Sequence, residues 1–124
     1  MKATLSTYRQ SPRKVRLLAS LVKGKIVNVA LQRLQFADKR AAPAVLKLLK
    51  SALANSGTTA ESLFVKDITV NQGVTMKRSM PRARGSASRI NKRTSHIKIV
   101  LGNISEMKTK AKKSKSLQAN KLTS

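Results

Sequence analysis

Cysteine and acidic side chains are the groups that this 124-residue chain most clearly lacks. Without any cysteine it can form neither a disulfide nor a thiolate zinc site, and it has no cysteine nucleophile. The four acids, Asp38, Glu61, Asp67 and Glu106, are scattered, and His96 is the single histidine. A two-metal nuclease needs converging carboxylates, and a serine hydrolase needs a base held by an orienting acid. The sequence therefore predicts a protein that is not an enzyme and that has no metal or cofactor.

Aromatic residues and long apolar runs are also scarce. The chain has one tyrosine, two phenylalanines and no tryptophan, whereas modules that splay single-stranded nucleic acid stack its bases on such rings. No apolar run approaches the roughly 18 residues that a membrane span requires. The first residues are charged and hydroxylated instead of apolar, so we expect neither a secretory signal nor a membrane partner.

Positive charge is what the chain has in excess. Its 27 lysines and arginines face only 4 acids, which leaves a net charge of +23. The acids can pair with a small minority of these cations, and the others repel one another and oppose a compact state. Nucleic acid is the natural partner, because each neutralised phosphate releases counterions. With so few aromatics, contacts to backbone and shape should dominate over base stacking.

Hydrophobic periodicity predicts three helices. The first begins at Pro12, where the hydroxyl of Ser11 is a candidate N-cap. A short second helix is expected at about 28–34. The third, at about 39–55 with Asp38 as its cap, should form the centre of the core. Its apolar stripe consists of Val45, Leu46, Leu48, Leu49, Ala52 and Leu53.

Strand-like alternation marks residues 3–8, 63–71 and 96–101. It predicts an α/β (α+β) fold in which a small three-stranded antiparallel sheet packs with three helices. Its position in an alternating strand makes His96 a structural histidine.

Between the last two strands, residues 73–95 hold seven cations, no acid and no aromatic, and cannot enclose a core. A protruding β-hairpin is the expected structure, with arms of about ten residues that reach roughly 33 Å. Pro81 and Gly85 mark its tip. We thus expect one globular domain at 1–104, with the hairpin at about 73–95. A lysine-rich C-terminal extension at 105–124 should be disordered unless bound.

Two basic groups are predicted to bind nucleic acid. The first lies along the hairpin and the adjoining third strand, and comprises Lys77, Arg78, Arg82, Arg84, Arg89, Lys92, Arg93 and Lys98. The second lies at the junction of the first strand and first helix, and comprises Arg9, Arg13, Lys14 and Arg16. A merely solvated charged surface is the alternative for both groups. That alternative is stronger for the second, because exposed cations on a helix are ordinary.

Three segments, SPRKVR (11–16), KSALANS (50–56) and VNQGVTMKRSMPRARGSASRINKRTSHIKIVL (70–101), resemble the bacterial large-subunit ribosomal protein L22 family. The likeness runs from about Ala3 to Leu101. It implies a cytoplasmic ribosomal protein that sits on the outside of the large subunit near the polypeptide exit. Gln72, Ser79 and Ile26 depart from the usual family pattern.

The resemblance also implies a role for the hairpin, which in that family threads between ribosomal RNA segments to line the nascent-chain tunnel near the site of macrolide action. The implied partners are large-subunit ribosomal RNA, neighbouring ribosomal proteins and the nascent chain. The resemblance also implies that the protein aids assembly of the subunit and forms no homo-oligomer. Carried over by position, the tunnel tip comprises Met76, Met80, Pro81, Ala83, Gly85, Ser86 and Ala87.

An architectural DNA-binding protein is the rival hypothesis. Such proteins also use basic β-ribbon arms and a proline wedge. A protein of that class should dimerise and bend duplex DNA, so a gel shift comparing structured RNA with duplex DNA at matched salt discriminates between the two.

Overall fold

The computed structural model describes residues 1–105 and contains the three predicted helices and three predicted strands. Apart from Ser105, the predicted C-terminal extension lies outside the described residues. No helix of the described part is long and apolar enough to cross a membrane. In chain order the elements are β1 (Lys2–Tyr8), α1 (Pro12–Val22), α2 (Val27–Gln35), α3 (Ala42–Ala54), β2 (Leu63–Pro81), a 3-10 turn (Ala83–Gly85) and β3 (Ala87–Asn103).

The three strands form one antiparallel sheet in the order β1-β3-β2, which confirms the predicted fold class. β3 is central because it pairs with β1 on one side and with β2 on the other. Ile97, Ile99 and Leu101 of β3 are buried and alternate with more exposed neighbours, so one face of the sheet points into the core.

The helices cover that inner face. Val15 of α1, Leu34 of α2 and Leu49 of α3 are almost fully buried, and they belong to one continuous cluster with the inward side chains of the sheet. Of the predicted stripe on α3, Val45, Leu48, Leu49 and Ala52 are buried, and Leu46 and Leu53 are partly buried. This helix is therefore central to the core, as predicted.

β2 and β3 continue beyond the core as one hairpin. The last buried side chain of β2 is Val70, whereas pairing continues to Pro81 opposite Ala87. Eleven residue steps at about 3.3 Å give an arm of roughly 35 Å, against a radius of gyration of about 13 Å for a 100-residue domain. The long protruding hairpin is thus confirmed.

The predicted start of α3 is wrong. The helix begins at Ala42 with Ala41 as its N-cap residue, and Asp38 does not cap it. Proline is tolerated only in the first turn of a helix, because it lacks an N–H and its ring clashes with the preceding turn. The helix must therefore begin close to Pro43. The residues before Ala42 form a separate turn, in which the Ala42 N–H donates to the carbonyl of Lys39 at 2.8 Å.

At α1 the predicted N-cap residue is correct, but its side chain makes no capping hydrogen bond. The carbonyl of Ser11 instead accepts the N–H groups of Lys14 and Val15, at 3.1 and 3.4 Å. Because Pro12 has no N–H, the first turn of α1 has one fewer backbone donor that needs a capping acceptor.

Where the hairpin leaves the core, a set of close contacts fixes it. The Nδ1 atom of His96 accepts the N–H of Thr7 at 3.0 Å, which confirms the predicted structural histidine. The buried hydroxyl of Thr94 donates to the carbonyl of Val74 at 2.7 Å. Gly73 lies against both side chains, so closely that a Cβ there would stand 2.5 Å from Thr94 Oγ1. A register shift between Gln72 and Thr75 accompanies this packing.

Candidate nucleic-acid interface

The outer hairpin is a two-stranded ribbon that carries cations on both faces. Successive side chains of a strand point to opposite faces, and directly paired residues share a face. Arg78 pairs with Ile90 and Met76 with Lys92, so Arg78 and Lys92 lie on one face. The opposite face carries Lys77, Arg89 and Arg93, because these residues occupy the alternate pairs. All five cations are exposed, so the ribbon can contact polyanions on two sides at once.

No acid offsets these charges within residues 68–105. The preceding acid, Asp67, forms an ion pair with the Nζ atom of Lys23 at 2.7 Å. The hydrogen bond from Lys23 holds the pKa of the Asp67 carboxyl below its ordinary value, so it stays ionised at neutral pH. Because this carboxylate is already paired with Lys23, the residue that follows α1, it does little to neutralise the hairpin.

The tip closes with a turn in which two successive residues have positive φ. The Arg82 N–H donates to the carbonyl of Ser86 at 2.9 Å, and the hydroxyl of Ser86 donates to the carbonyl of Ala83 at 2.9 Å. Gly85 has a φ of 70°, which agrees with its predicted role. Arg84 also has a positive φ, of 57°, which could not be predicted because arginine rarely adopts that region. The turn leaves Arg82 and Arg84 exposed to solvent.

The predicted tip residues do not all lie at this turn. Five of them, Pro81, Ala83, Gly85, Ser86 and Ala87, belong to the turn or to the final strand pair. Met80 pairs with Ser88 next to it. Met76 precedes Pro81 by five residues, or roughly 17 Å of strand, and pairs with Lys92 on the arm.

A groove with a volume of about 750 Å³ joins the two predicted basic groups where the hairpin meets α1. We name it the junction groove. Arg40, in the turn before α3, belongs to it but was missed in the sequence. Arg40 follows Asp38 and Lys39 in a short mixed-charge stretch that gave no signal of a binding site, and only the fold brings it to this surface. Its carbonyl accepts the hydroxyl of Tyr8 at 3.4 Å. The groove is lined by Arg9, Gln10, Ser11, Lys14, Arg40, Met76, Arg78, Asn91, Lys92 and Arg93.

The remaining predicted cations occupy other places. Arg13 and Arg16 line a separate recess of about 420 Å³ that Arg93 also borders. The Nε and Nη2 atoms of Arg16 donate to the carbonyl of Val70 at 3.2 and 3.1 Å, so this side chain ties α1 to β2. Lys98 is exposed opposite Thr4 and Thr69, on the sheet face away from the helices. RNA contact at these residues stays a prediction.

Within residues 1–105, no group of three or more histidine, cysteine, aspartate or glutamate side chains could hold a metal ion. The arrangement suits the electrostatic binding of a polyanion.

Comparison with known proteins agrees with this geometry. The family model for ribosomal protein L22p/L17e matches residues 3–102. Large ribosomal subunit protein uL22 of Mesoplasma florum is 52% identical over 104 residues, which cover 81% of this chain and 93% of that protein. The uL22 protein of Oceanobacillus iheyensis is 48% identical over 104 residues, covering 81% and 92%. That of Macrococcus caseolyticus is 49% identical over 112 residues, covering 87% and 90%.

These matches span nearly all of the described residues, including both strands of the hairpin and the whole junction groove. They confirm the resemblance seen in the sequence, together with its ribosomal location and its role in translation as part of a ribonucleoprotein. This chain belongs to the ribosomal protein L22p/L17e family, and the three relatives just described are proteins of the large ribosomal subunit.

Proposed function

We propose that this chain binds large-subunit ribosomal RNA as a structural component, aids the assembly of the subunit, and contributes its hairpin tip to the wall of the nascent-polypeptide tunnel. The observation that carries the proposal is the acid-free ribbon with cations on both faces. A ribbon of that kind binds RNA most tightly when it lies between two RNA segments, because the cations of each face then neutralise phosphates. Neighbouring ribosomal proteins and the nascent chain are the further partners.

The parts of the chain have separate tasks in this proposal. Residues 1–104 act as one domain whose buried core fixes the angle of the hairpin, and the lysines of 105–124 add further contacts to RNA. The chain itself performs no catalysis, in keeping with a ribosomal family that is not a class of enzymes. That membership also favours RNA over the duplex DNA of the rival hypothesis.

The electrostatic part of the proposal is tested by the salt dependence of RNA binding. If about six hairpin cations contact phosphates, log affinity should fall with log salt at a slope near −4 to −5, at roughly 0.7–0.9 per phosphate. Binding of the full chain to large-subunit ribosomal RNA transcripts is measured from low to moderate salt. A slope shallower than about −2 would contradict contact along both faces of the ribbon.

The tunnel part is tested by cross-linking, for which the absence of cysteine is an advantage. Ala83→Cys places one thiol in the exposed turn, and Ser51→Cys places one on the exposed side of α3 as a control. Ribosomes that carry either variant are stalled with a nascent chain bearing a thiol-reactive group. We expect cross-links from position 83 and none from position 51. A tip that never reacts, in ribosomes shown to contain the protein, would remove it from the tunnel wall while leaving RNA binding intact.

A further inference from the structure

Ser79 is an exposed serine on the outer part of the hairpin, at a position where the chain departs from the usual family pattern. A recess of about 530 Å³ opens beside it, which we name the serine recess. Its lining residues are Lys77, Arg78, Ser79, Ala87 and Arg89. Three of the five are cations and none is acidic. The proposed function uses these cations but gives no role to the hydroxyl group among them.

The register of the ribbon brings Ser79 close to Arg89, with which it is directly paired. The Arg82 N–H donates to the carbonyl of Ser86 at 2.9 Å, so that pair is hydrogen-bonded. Hydrogen-bonded and non-hydrogen-bonded pairs alternate along an antiparallel ladder, so the pair of Ser79 and Arg89, three steps away, is non-hydrogen-bonded. Side chains approach most closely in pairs of that kind. Lys77 lies two residues back on the same face, so a group on the Ser79 oxygen is within reach of two cations.

The hydroxyl of Ser79 is also accessible to an enzyme. It is exposed and makes no hydrogen bond within residues 1–105, whereas the hydroxyl of Ser86 in the turn donates to the carbonyl of Ala83. A two-stranded ribbon outside the core is only marginally stable in water, so this arm can open as an extended segment while the protein is free. Lys77 and Arg78 directly precede the serine, a charge pattern that suits a kinase with an acidic substrate groove.

We propose that Ser79 is a phosphorylation site at which a serine kinase of this kind regulates the hairpin before it binds RNA. The Ser79 oxygen attacks the γ-phosphorus of ATP, and the bond from that phosphorus to the oxygen bridging it to the β-phosphate breaks. ADP leaves with the electron pair of that bond, and the hydroxyl proton passes to a carboxylate base of the kinase. The new phosphate then pairs with Arg89 and Lys77 of the same chain. This inference rests on the proposed RNA-binding function and adds a regulation of it.

The modification acts on one face of the ribbon. Lys77, Arg89 and Arg93 share the face of Ser79, and a phosphoserine adds a charge of about −1.5 to −2 at pH 7. It therefore offsets half or more of the three positive charges of that face. The cations Arg78 and Lys92 on the opposite face are left unpaired with it. A phosphorylated ribbon can thus contact RNA on one side only, which opposes its insertion between two RNA segments.

The effect on RNA binding is tested with the full chain carrying phosphoserine, incorporated during translation, at position 79. A second protein carries it at position 51, an exposed position on α3, as a control of equal charge. Both are compared with the unmodified chain on large-subunit ribosomal RNA transcripts, after far-UV circular dichroism has shown that all three fold. Modification at position 79 should weaken binding about tenfold or more. The salt slope should become shallower by about 1.4 to 1.8, at roughly 0.7–0.9 for each of two phosphates lost.

Modification at position 51 should weaken binding less than about threefold, because no pair of hairpin cations is neutralised there. Equal effects at the two positions, or no effect at either, would overturn the inference while leaving the proposed function standing. An unmodified chain that binds none of the transcripts would overturn the proposed function, and this inference with it.

The pairing of the phosphate is tested by ³¹P NMR titration of the chain modified at position 79. Pairing with cations favours the doubly charged phosphate, so its second pKa should lie below the ordinary value of about 6. Lys77→Gln with Arg89→Gln should return the pKa toward that value. Arg84→Gln with Lys92→Gln removes the same charge outside the serine recess and should leave the pKa low. An equal rise in both variants would refute the pairing geometry.

The modification itself is sought in the cells that produce the protein. Lysate prepared with phosphatase inhibitors is separated by sedimentation into free protein and large subunits, and position 79 is examined by mass spectrometry in each fraction. We expect phosphorylated Ser79 in the free fraction and at least tenfold less of it in the subunits. A free fraction without phosphate on Ser79, or equal phosphorylation in the two fractions, would overturn the proposed regulation.

Discussion

Replacing Gly73 with alanine should loosen the base of the hairpin without touching any basic residue. The added Cβ would stand 2.5 Å from Thr94 Oγ1 and 3.0 Å from His96 Nε2. Neither neighbour can move freely, because the Thr94 hydroxyl is buried and bonded to the carbonyl of Val74, and His96 accepts the N–H of Thr7. Forcing a methyl group into such packing costs about 1–3 kcal/mol.

The loss of the hydrogen bond between Thr94 and Val74 adds about 0.5–1.5 kcal/mol. We therefore expect Gly73→Ala to lower the free energy of unfolding by about 2–4 kcal/mol, a large fraction of the total for a domain of this size. The measurement is urea unfolding followed by far-UV circular dichroism in high salt, since the chain has no tryptophan to report on its core. The dependence of the free energy on urea should not change, because the surface exposed on unfolding is the same.

Two further variants separate close packing from backbone strain. Thr94→Ala removes the oxygen that lies nearest, so the cost of Gly73→Ala should fall to about 1 kcal/mol in that background. Gly57→Ala is the control, since Gly57 has a φ of 63° and no atom within 4 Å of an added Cβ. It should cost about 1–2 kcal/mol from backbone strain alone, whether or not Thr94 is present. A Gly73→Ala cost below about 0.5 kcal/mol, or one that Thr94→Ala leaves unchanged, would refute the packing argument.

Three other changes probe the core, the contact between α1 and β2, and the ion pair between Lys23 and Asp67. Leu49→Ala should destabilise the domain by about 2–5 kcal/mol in the same urea assay, because Leu49 is fully buried at the centre of the core. Arg16→Lys should cost about 1 kcal/mol, since an ammonium cannot reproduce the paired hydrogen bonds to Val70; an unchanged stability would mean that Arg16 only faces solvent. For Asp67, whose pKa is lowered by Lys23, the small stabilisation should be present above the ordinary value of 3.8 and lost as the pH falls through the lowered pKa. Asp67→Asn should remove that pH dependence, which unfolding curves at several acidic pH values can detect.

Much of the fold could be predicted because its signals are local. The β-branched runs at 63–71 and 96–101, the apolar stripe of α3 and the absence of acid from 68 to 105 are all visible without any tertiary contact. Together with the hydrophobic periodicity of the first two helices, these signals correctly predicted three helices, an antiparallel sheet and a long hairpin. The acid cap expected at Asp38 failed because Pro43 imposes a stronger local constraint on where the helix can begin.

The chemistry of the surface depended on contacts that no short segment contains. The sequence by itself determined that the chain is basic, acid-poor along its hairpin and therefore suited to a polyanion. Only the tertiary structure decided that Arg40 joins Lys92 across the junction groove, that Arg16 is bound to Val70, and that Gly73 must remain without a side chain. The physical reason is that charge and periodicity belong to neighbours along the chain, whereas a groove, a shared carbonyl or a close approach exists only where distant segments meet.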